Sequence, residues 1–292
     1  MTLFSVFKRI HHALYGKNLG KIPGIRWLYA FIFSCLKPRG VSLIHTRAGD
    51  MYVDPKDKGE VPELMLKGVY DAYETELLEN LVKEGMAVLD IGAHIGYFTL
   101  ILSKAVGESG AVYAFEPEPK NFSLLSRNIE LNKKQNVRLF PLALSNAVGK
   151  IKLFLDTANL GNMSLALSNI PAIDLEGEIE VETTTLDAFL LGKKIDFIKM
   201  DVQGAEGLVI AGGEEMLKNN KLKILMEFWP YGLRNLNTDP LLLLKKMETW
   251  GYTFRVIDGN NKILKPKWPE DILHVSANRP DGKGWTNILC EN

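Results

Sequence analysis

The middle of the sequence alternates short apolar segments with longer amphipathic ones. Residues 87–91, 111–115 and 137–144 are apolar over the length of a strand, whereas residues 97–105 and 119–132 carry apolar side chains at helical spacing. Strands that alternate with helices build β-α-β units, whose strands run parallel and are covered by helices on both faces. We therefore predict an α/β fold with a doubly wound, mostly parallel sheet of the Rossmann type.

The alternation pauses between residues 146 and 185 and then resumes. Residues 151–156 and 178–183 alternate polar and apolar side chains, which is typical of antiparallel or edge strands. The later segments are predicted, in order, as a strand at 195–200, a helix at 205–217, a strand at 222–228, a helix at 240–250, and two strands at 252–257 and 272–277 that close the sheet.

The first 49 residues stand apart in charge. They contain eight Lys and Arg residues and no Asp or Glu, although the whole chain is neutral. We predict that residues 1–49 form a basic, amphipathic helical extension, broken at Pro23 and Gly24, and that residues 50–292 form the main domain. Residues 1–47 suit peripheral contact with an anionic membrane surface; the alternative is that they pack on the domain or on a second copy of the chain.

Composition narrows the class of protein. Apolar residues make up 46% of the chain and charged residues 24%, as in ordinary globular proteins. The longest apolar run, residues 27–36, has about half of the ~20 residues that span a bilayer. The two cysteines, Cys35 and Cys290, favour neither a disulfide framework nor a zinc site and fit the cytoplasm. The balanced charge predicts no nucleic-acid partner.

A glycine-containing loop follows the first strand of the alternating region. Asp90 ends that strand, Gly92 and Gly96 lie in the turn before the next helix, and Glu116 ends the next strand. Glycines let a ligand approach the main chain closely, and the amide groups at a helix start attract a carboxylate. An acidic side chain at a strand end can accept the ribose hydroxyl protons. The loop therefore predicts a nucleoside site.

The charge at the first loop position distinguishes two cofactors. A dinucleotide loop has the pattern Gly-x-Gly-x-x-Gly, but its first glycine position is here Asp90, which would repel a pyrophosphate and suits an amino group. S-adenosylmethionine has an ammonium, a sulfonium, one carboxylate and no phosphate. We therefore predict S-adenosylmethionine as the cofactor, with an NAD-dependent oxidoreductase, or a tight turn that binds no ligand, as the alternatives.

Other segments extend the pattern beyond the loop. They are residues 88–99 (VLDIGAHIGYFT), 114–117 (AFEP), Asn121 with Asn128, 184–187 (TTLD) and 195–206 (IDFIKMDVQGAE). Over about residues 68–258 the chain resembles the FkbM-type family of methyltransferases. The resemblance implies a class I methyltransferase fold and transfer of a methyl group to a hydroxyl oxygen, often on a sugar or a polyketide. The family commonly has Glu where this chain has Gln203, so we assign no acid–base role to that residue.

The loop and the resemblance together predict the cofactor contacts. These are Asp90, Gly92, Ala93, His94, Gly96, Phe98, Glu116 and Pro117.

The predicted catalytic side chains are Asp201 and Glu227. An aliphatic hydroxyl is a poor nucleophile, so a base or a metal should help to remove its proton. Each of the two residues ends a strand at the edge that faces the cofactor, although Asp201 could equally cap the next helix. Glu206 in that helix is better explained by the helix dipole. Carboxylates could hold a divalent metal, but their spacing does not require one.

Acceptor contacts are less defined by the sequence. Residues 161–164 are predicted as a loop that forms part of a lid, and the aromatics of residues 229–234 either stack on a sugar or cover the sheet. The segment after Met200 reads Asp-Val-Gln-Gly and not Asn-Pro-Pro-Tyr, which favours oxygen over an exocyclic nitrogen. We expect an O-methyltransferase that acts on a hydroxyl of a small molecule or glycan; a non-catalytic S-adenosylmethionine-binding protein is the alternative.

Overall fold

The structure is a computed structural model and describes residues 3–14, 25–189, 194–259, 263–276 and 281–292. Within these ranges the helices are α1 (Leu3–Leu14), α2 (Ile25–Leu36), α3 (Val61–Lys67), α4 (Ala72–Leu81), α5 (Tyr97–Val106), α6 (Pro119–Leu131), α7 (Leu186–Phe189), α8 (Glu206–Ala211), α9 (Glu214–Asn219), α10 (Pro230–Asn235), α11 (Pro240–Thr249) and α12 (Pro269–Ser276). The strands are β1 (Ser42–His45), β2 (Asp50–Val53), β3 (Ala87–Ile91), β4 (Ala111–Phe115), β5 (Val137–Phe140), β6 (Ala143–Leu144), β7 (Gly149–Asp156), β8 (Leu175–Thr184), β9 (Phe197–Met200), β10 (Lys223–Phe228), β11 (Thr253–Asp258), β12 (Ile263–Lys267) and β13 (Thr286–Glu291).

The central sheet has eight strands in the order β12-β11-β13-β10-β9-β3-β4-β5. The strands from β10 to β5 in this order pair in parallel, while β13 runs antiparallel between β10 and β11. Successive side chains of a strand point to opposite faces; accordingly Leu89 and Ile198 belong to one core cluster, and Val88 and Phe197 to the other. The predicted α/β fold with a doubly wound, mostly parallel sheet is confirmed.

The order of the strands reverses between β3 and β9. From β3 the chain moves outward through β4 and β5, and then returns to place β9 on the other side of β3, with Met200 opposite Ile91. Such a reversal opens a crevice at the carboxyl ends of the strands. Gly92 and Asp201, which directly follow β3 and β9, therefore lie at this crevice.

A smaller sheet of order β6-β8-β7 lies beside the central one. Its strands β7 and β8 are antiparallel, as the alternating patterns predicted. The predicted strand at 137–144 is divided into β5 in the central sheet and β6 in the small sheet, with Pro141 and Leu142 between them. Proline has no N–H for a strand ladder, which explains the interruption.

Two predicted elements after residue 200 need correction. The helix predicted at 205–217 is two helices, α8 and α9, because the chain turns at Gly212 and Gly213; a Cβ on Gly212 would lie 2.0 Å from the Ser145 carbonyl oxygen. The strand predicted at 272–277 is wrong. Residues 272–276 belong to α12, which starts with a proline and two acidic residues, a favourable helix start, and Ala277 lies outside the described residues. The sheet is completed by β12 and β13 instead.

The N-terminal segment contributes α1, α2 and the hairpin β1–β2. The break predicted at Pro23 and Gly24 lies outside the described residues. The hairpin crosses the boundary predicted at residue 49, and it is fastened to α6 because the Asn128 side chain accepts from the Tyr52 amide at 2.6 Å and donates to the Tyr52 carbonyl at 3.0 Å. The division into two domains stays a prediction. Among the residues that the structure describes, no helix is long and apolar enough to cross a membrane.

Candidate active site

The loop between β3 and α5 turns through left-handed backbone conformations. The φ angle is +83° at Gly92 and +49° at His94. The amides of Gly92 and Ala93 both donate to the Phe115 carbonyl, at 3.0 and 2.9 Å, which fastens the loop to the end of β4. A Cβ on Gly92 would lie 1.8 Å from the carbonyl oxygen of Asp201. Only glycine therefore allows β3 and β9 to approach each other where the crevice opens.

We expect Gly92→Ala to destabilise the fold strongly and to abolish cofactor binding. The methyl group would collide with backbone, which cannot move aside as a flexible side chain would. The matched control is Gly251→Ala, because Gly251 also has a positive φ (+94°) but a Cβ there meets no atom within 4 Å. Thermal unfolding should show a larger loss of Tm for Gly92→Ala than for Gly251→Ala. Equal losses of Tm would mean that glycine is needed at position 92 only for its positive φ, and not for the close approach to the Asp201 carbonyl.

Asp90 presents a buried carboxylate with one oxygen left over. Its Oδ2 accepts a hydrogen bond from the Thr99 hydroxyl at 2.5 Å, while its Oδ1 is buried without a partner among the residues that the structure describes. Burial raises the pKa of this carboxyl, although the nearby ammonium of Lys199 opposes the effect. Buried polar atoms normally have a hydrogen-bond partner, because burial without one costs free energy. Asp90 lines the crevice. Its free oxygen is therefore available to a cationic ligand group.

His94 presents the complementary group, a buried donor. Its Nδ1 lies 2.9 Å from Glu60 Oε1, and its Nε2 is buried with no partner in the described part of the chain. Burial lowers the pKa of the imidazole, but the carboxylates of Glu60, Asp57 and Glu116 outweigh it and raise the pKa to about 9. The ring is therefore protonated at neutral pH, and Nε2–H can donate to an anion. Sequence reasoning found His94 but missed Glu60, which no local pattern connects to the loop.

Glu116 lies at the end of β4 beside a narrow, apolar half of the crevice. Its two oxygens accept from the His94 and Glu118 amides, at 2.8 and 2.9 Å, and a carboxylate retains further lone pairs for ligand hydroxyls. Burial raises the pKa of Glu116 to about 7. The rest of this narrow half is lined by Pro117, Asn121, Ile91, Phe115, Leu142, Leu144, Met163 and Val202. A flat, apolar base attached to a ribose fits this arrangement.

The other predicted cofactor contacts differ in position. Ala93 and Phe98 are buried and line the wide half of the crevice, which extends from Asp90 and His94 to Glu227 and Trp285. Gly96 precedes α5 with a φ of +92°, and a Cβ there would lie 2.6 Å from Leu125 on α6. Helix packing thus accounts for this glycine, and a contact of Gly96 with the cofactor stays a prediction.

The predicted catalytic carboxylates, Asp201 and Glu227, are brought together by Gln203. The Gln203 amide donates to Asp201 Oδ1 at 2.6 Å and lies 3.3 Å from Glu227 Oε1. Gln203 adopts a left-handed conformation, with a φ of +50°. An amide can donate to both carboxylates, whereas the Glu that the resemblance leads one to expect here would add a third negative charge. The departure from the family pattern therefore has a structural consequence.

Lys199, on β9, is a residue of this site to which the sequence assigned no role. The Lys199 side chain is buried, with Nζ 3.5 Å from Asp201 Oδ2 and 4.6 Å from the centre of the Phe98 ring. Burial would lower the pKa of the ammonium, but Asp201, Glu74 and other carboxylates raise it instead. Lys199 and Asp201 are two residues apart, so strand alternation places their side chains on the same face of the sheet.

Carboxylates outnumber cations in the wide half. Burial raises the pKa of Glu74 to about 7, and its Oε2 accepts from the Asn287 amide at 2.5 Å. Burial also raises the pKa of Glu227 well above its usual value, an effect increased by the charges of Asp201 and Glu206. The wide half is lined by seven Asp and Glu side chains and by three basic ones, Lys199, Lys283 and His94. A ligand of net positive charge is therefore favoured beside them.

The loop before β8 covers part of the crevice. Gly161 and Asn162 line its wall, and the Ser164 hydroxyl donates to the Gln203 carbonyl at 2.9 Å. Glu206 is fully buried in α8; its Oε1 accepts from the Gly204 amide at 3.0 Å, and its Oε2 has no partner among the described residues. The structural role preferred from the sequence stays a prediction. In the described part of the chain, no group of three or more His, Cys, Asp or Glu side chains could hold a metal ion.

The unpartnered atoms of the crevice fit S-adenosylmethionine. Asp90 Oδ1 is an acceptor suited to the ammonium of the cofactor, and protonated His94 Nε2 is a donor suited to its carboxylate. Glu116 can accept from the ribose hydroxyls beside the apolar slot for adenine. The residues thus match the amino-acid end, the sugar and the base of one ligand, and they offer no cluster of bare amides and cations for a pyrophosphate.

We expect the affinity for S-adenosylmethionine to fall as the pH falls through about 7. The pKa of Glu116 is raised to about 7, so acid conditions protonate the carboxylate and remove an acceptor for ribose, whereas His94, with a pKa of about 9, stays charged throughout. Calorimetry between neutral and mildly acidic pH measures the effect. Because Glu74 also titrates near 7, Glu116→Gln is the deciding variant; if it retains the full pH dependence, Glu116 is not the group responsible.

The comparisons with known proteins agree with the site. The family model of the methyltransferase FkbM domain matches residues 90–254. The chain is 29% identical over 164 residues to the 2-O-methyltransferase NoeI of Sinorhizobium fredii, covering 50% of this chain and 65% of that protein. It is 28% identical over 143 residues to Methyltransferase 1 of Beauveria bassiana, covering 43% of this chain and 57% of that protein. The chain thus spans less than two thirds of the length of both relatives.

A solved structure gives a much weaker likeness. The crystal structure of a methyltransferase FkbM from Methylobacillus flagellatus has a TM-score of 0.41 and 14% identity, covering 79% of this chain and 52% of that one, which is too slight to carry an argument. The family assignment rests on the sequence match, which spans more than half of the 292 residues and decides against an NAD-dependent oxidoreductase. The chain therefore belongs to the FkbM family of methyltransferases.

Proposed function

We propose that the protein transfers the methyl group of S-adenosylmethionine to a hydroxyl oxygen of a sugar, a glycan or a related natural product. The observation that carries the proposal is the pair of carboxylates, Asp201 and Glu227, that Gln203 holds at the crevice beside Asp90. A hydroxyl must lose its proton as it is methylated, and a carboxylate whose pKa is raised is a stronger base for that step.

Glu227 is the proposed base. Burial and the charge of Asp201 raise the pKa of Glu227, which makes its carboxylate a stronger proton acceptor than a surface Glu. Bound S-adenosylmethionine supplies an electrophilic methyl group on sulfur. Asp201 orients the acceptor hydroxyl, and the ammonium of Lys199, 3.5 Å from Asp201, limits the build-up of negative charge.

The wide half of the crevice supports a polyhydroxylated acceptor. Its lining combines aromatic rings with side-chain amides, groups that stack on sugar faces and bond to hydroxyls. They are Tyr70, Tyr97, Phe98, Trp229, Tyr231 and Trp285, with Asn159, Asn162, Asn169 and Asn287. Trp229 itself is nearly buried, and its indole donates to the Lys283 carbonyl at 3.1 Å, so it supports the wall and Tyr231 is the more accessible ring. The name of the relative NoeI, a 2-O-methyltransferase, also supports oxygen as the acceptor atom.

The test is transfer of labelled methyl from S-adenosylmethionine into extracted small molecules and glycans, followed by mass spectrometry and NMR of the labelled product. We expect a methyl ether on a sugar or polyketide hydroxyl, with no label when Glu227→Gln replaces the wild type. Label on nitrogen, on carbon, or only on protein or RNA would overturn the proposed acceptor class. A cytoplasmic location and a homo-oligomeric state stay predictions.

A further inference from the structure

Helix α2 is apolar at ten of its twelve positions, but among the described residues only one of its sides packs against the protein. On the inner side, the ring of Tyr29 lies 5.0 Å from that of Phe7, which is buried against the domain. On the outer side, Trp27 and Phe31 are 71% and 54% exposed, and their rings stack at 5.6 Å with 11° between their planes. A helix that is apolar all round normally lies inside a structure. Within the described ranges, the outer side of α2 therefore lies exposed.

The neighbouring helix α1 continues this feature. Leu3 and Ile10, seven residues apart and so on one helical side, are both exposed, as is Leu28 on α2. We call Leu3, Ile10, Trp27, Leu28 and Phe31 the apolar N-terminal face. Exposed groups of large apolar side chains mark interaction sites in proteins, so we expect this face to bind a partner.

The charge of the same segment indicates which partner. Residues 1–49 contain eight Lys and Arg residues and no acidic residue. Arg9 adjoins Ile10, Arg39 follows α2, and both side chains are exposed. Lys37 and Arg47 are used within the chain, since Lys37 donates to the Pro55 carbonyl and Arg47 pairs with Glu79.

Aromatic side chains beside basic ones suit the boundary of an anionic lipid bilayer, where rings lie among headgroups and cations meet phosphates. A second copy of this chain would bring the same positive charge to the contact, which disfavours self-association. We infer that the apolar N-terminal face docks the protein on an anionic lipid surface, with Trp27 and Phe31 inserted at headgroup level and with Arg9 and Arg39 at the phosphates. The inference concerns a surface distinct from the crevice and does not depend on the acceptor.

The test is flotation of the full-length protein with vesicles of phosphatidylcholine alone or mixed with phosphatidylglycerol. We expect at least about tenfold stronger partitioning into the mixed vesicles, reduced by added salt. The double variant Trp27→Ser/Phe31→Ser should lose more than about tenfold of this binding. In the double variant Arg9→Glu/Arg39→Glu, partitioning into the mixed vesicles should fall by about fivefold or more for each residue changed.

The matched control is Trp268→Ser. Trp268 is exposed to the same 71% as Trp27 but lies outside the basic segment, so its loss should not change flotation. Circular dichroism and retained S-adenosylmethionine binding confirm that each variant is folded. Equal binding to neutral and anionic vesicles would overturn the inference. So would an absence of binding together with a dimer, seen by light scattering, that Trp27→Ser/Phe31→Ser converts to a monomer; the face would then join two copies of the chain.

Discussion

Replacement of Glu227 by Gln is expected to lower kcat by about 10²- to 10⁴-fold, the usual contribution of a general base. The affinity for S-adenosylmethionine should change by less than about threefold, because Glu227 lies on the acceptor side of the crevice. Glutamine keeps the shape of the side chain and its contact with Gln203 but cannot take a proton. Single-turnover kinetics on the identified acceptor measures the loss, and calorimetry measures cofactor affinity. The exposed Glu248→Gln on α11 is the control for loss of a negative charge.

The pH dependence provides the second half of this prediction. Since burial raises the pKa of Glu227, its basic form is present above that pKa and is lost as the pH falls, so kcat should have an acid limb that Glu227→Gln removes. Gln203→Glu adds a negative charge beside both carboxylates and should move the limb to higher pH. If Glu227→Gln retains nearly full kcat with an unchanged limb, the base is another group, and Asp201→Asn becomes the variant to examine.

The cofactor loop could be predicted from the sequence because its chemistry is local. Asp90, Gly92 and His94 lie in one short segment between a strand and the helix that follows it. The pattern of that segment alone therefore predicts the strand, the turn and the charged side chain. Glu116 required only the assumption that the next strand lies alongside, which the alternation of strands and helices justifies. The same reasoning located Asp201 and Glu227, since parallel strands all end at one edge.

The partners of these residues could not be predicted in this way, because they come from distant parts of the chain. Glu60 reaches His94 across 34 positions, and Asn287 reaches Glu74 across 213. Such pairs depend on how elements pack and leave no periodic trace in the sequence. The misplaced last strand has a related cause: residues 272–276 are apolar enough for a strand, and only the favourable helix start at Pro269 indicates α12.

The distribution of charge in the crevice connects the two halves of the reaction. The charges of Asp201, Glu74 and Asp90 raise the pKa of Lys199, whose ammonium is buried among them. A cofactor of net positive charge stabilises these carboxylates when it binds, whereas the product of methyl transfer, which has lost the sulfonium charge, stabilises them less. The crevice should therefore hold the cofactor before the reaction more firmly than the demethylated product after it, which favours product release.

Replacement of Asp90 by Asn is expected to weaken S-adenosylmethionine binding by about 10- to 100-fold, the value of a hydrogen bond to a charged group. Asparagine can still accept from Thr99 through its oxygen, but its amide would then face the ammonium that Asp90 Oδ1 is free to accept. The fold should not suffer, because an isosteric neutral group replaces a buried carboxylate. Calorimetry with methylthioadenosine, which lacks the amino-acid end, separates the causes: its affinity should stay within about twofold. A parallel loss for both ligands would mean that the variant distorts the loop, and no loss for either would place the ammonium away from Asp90.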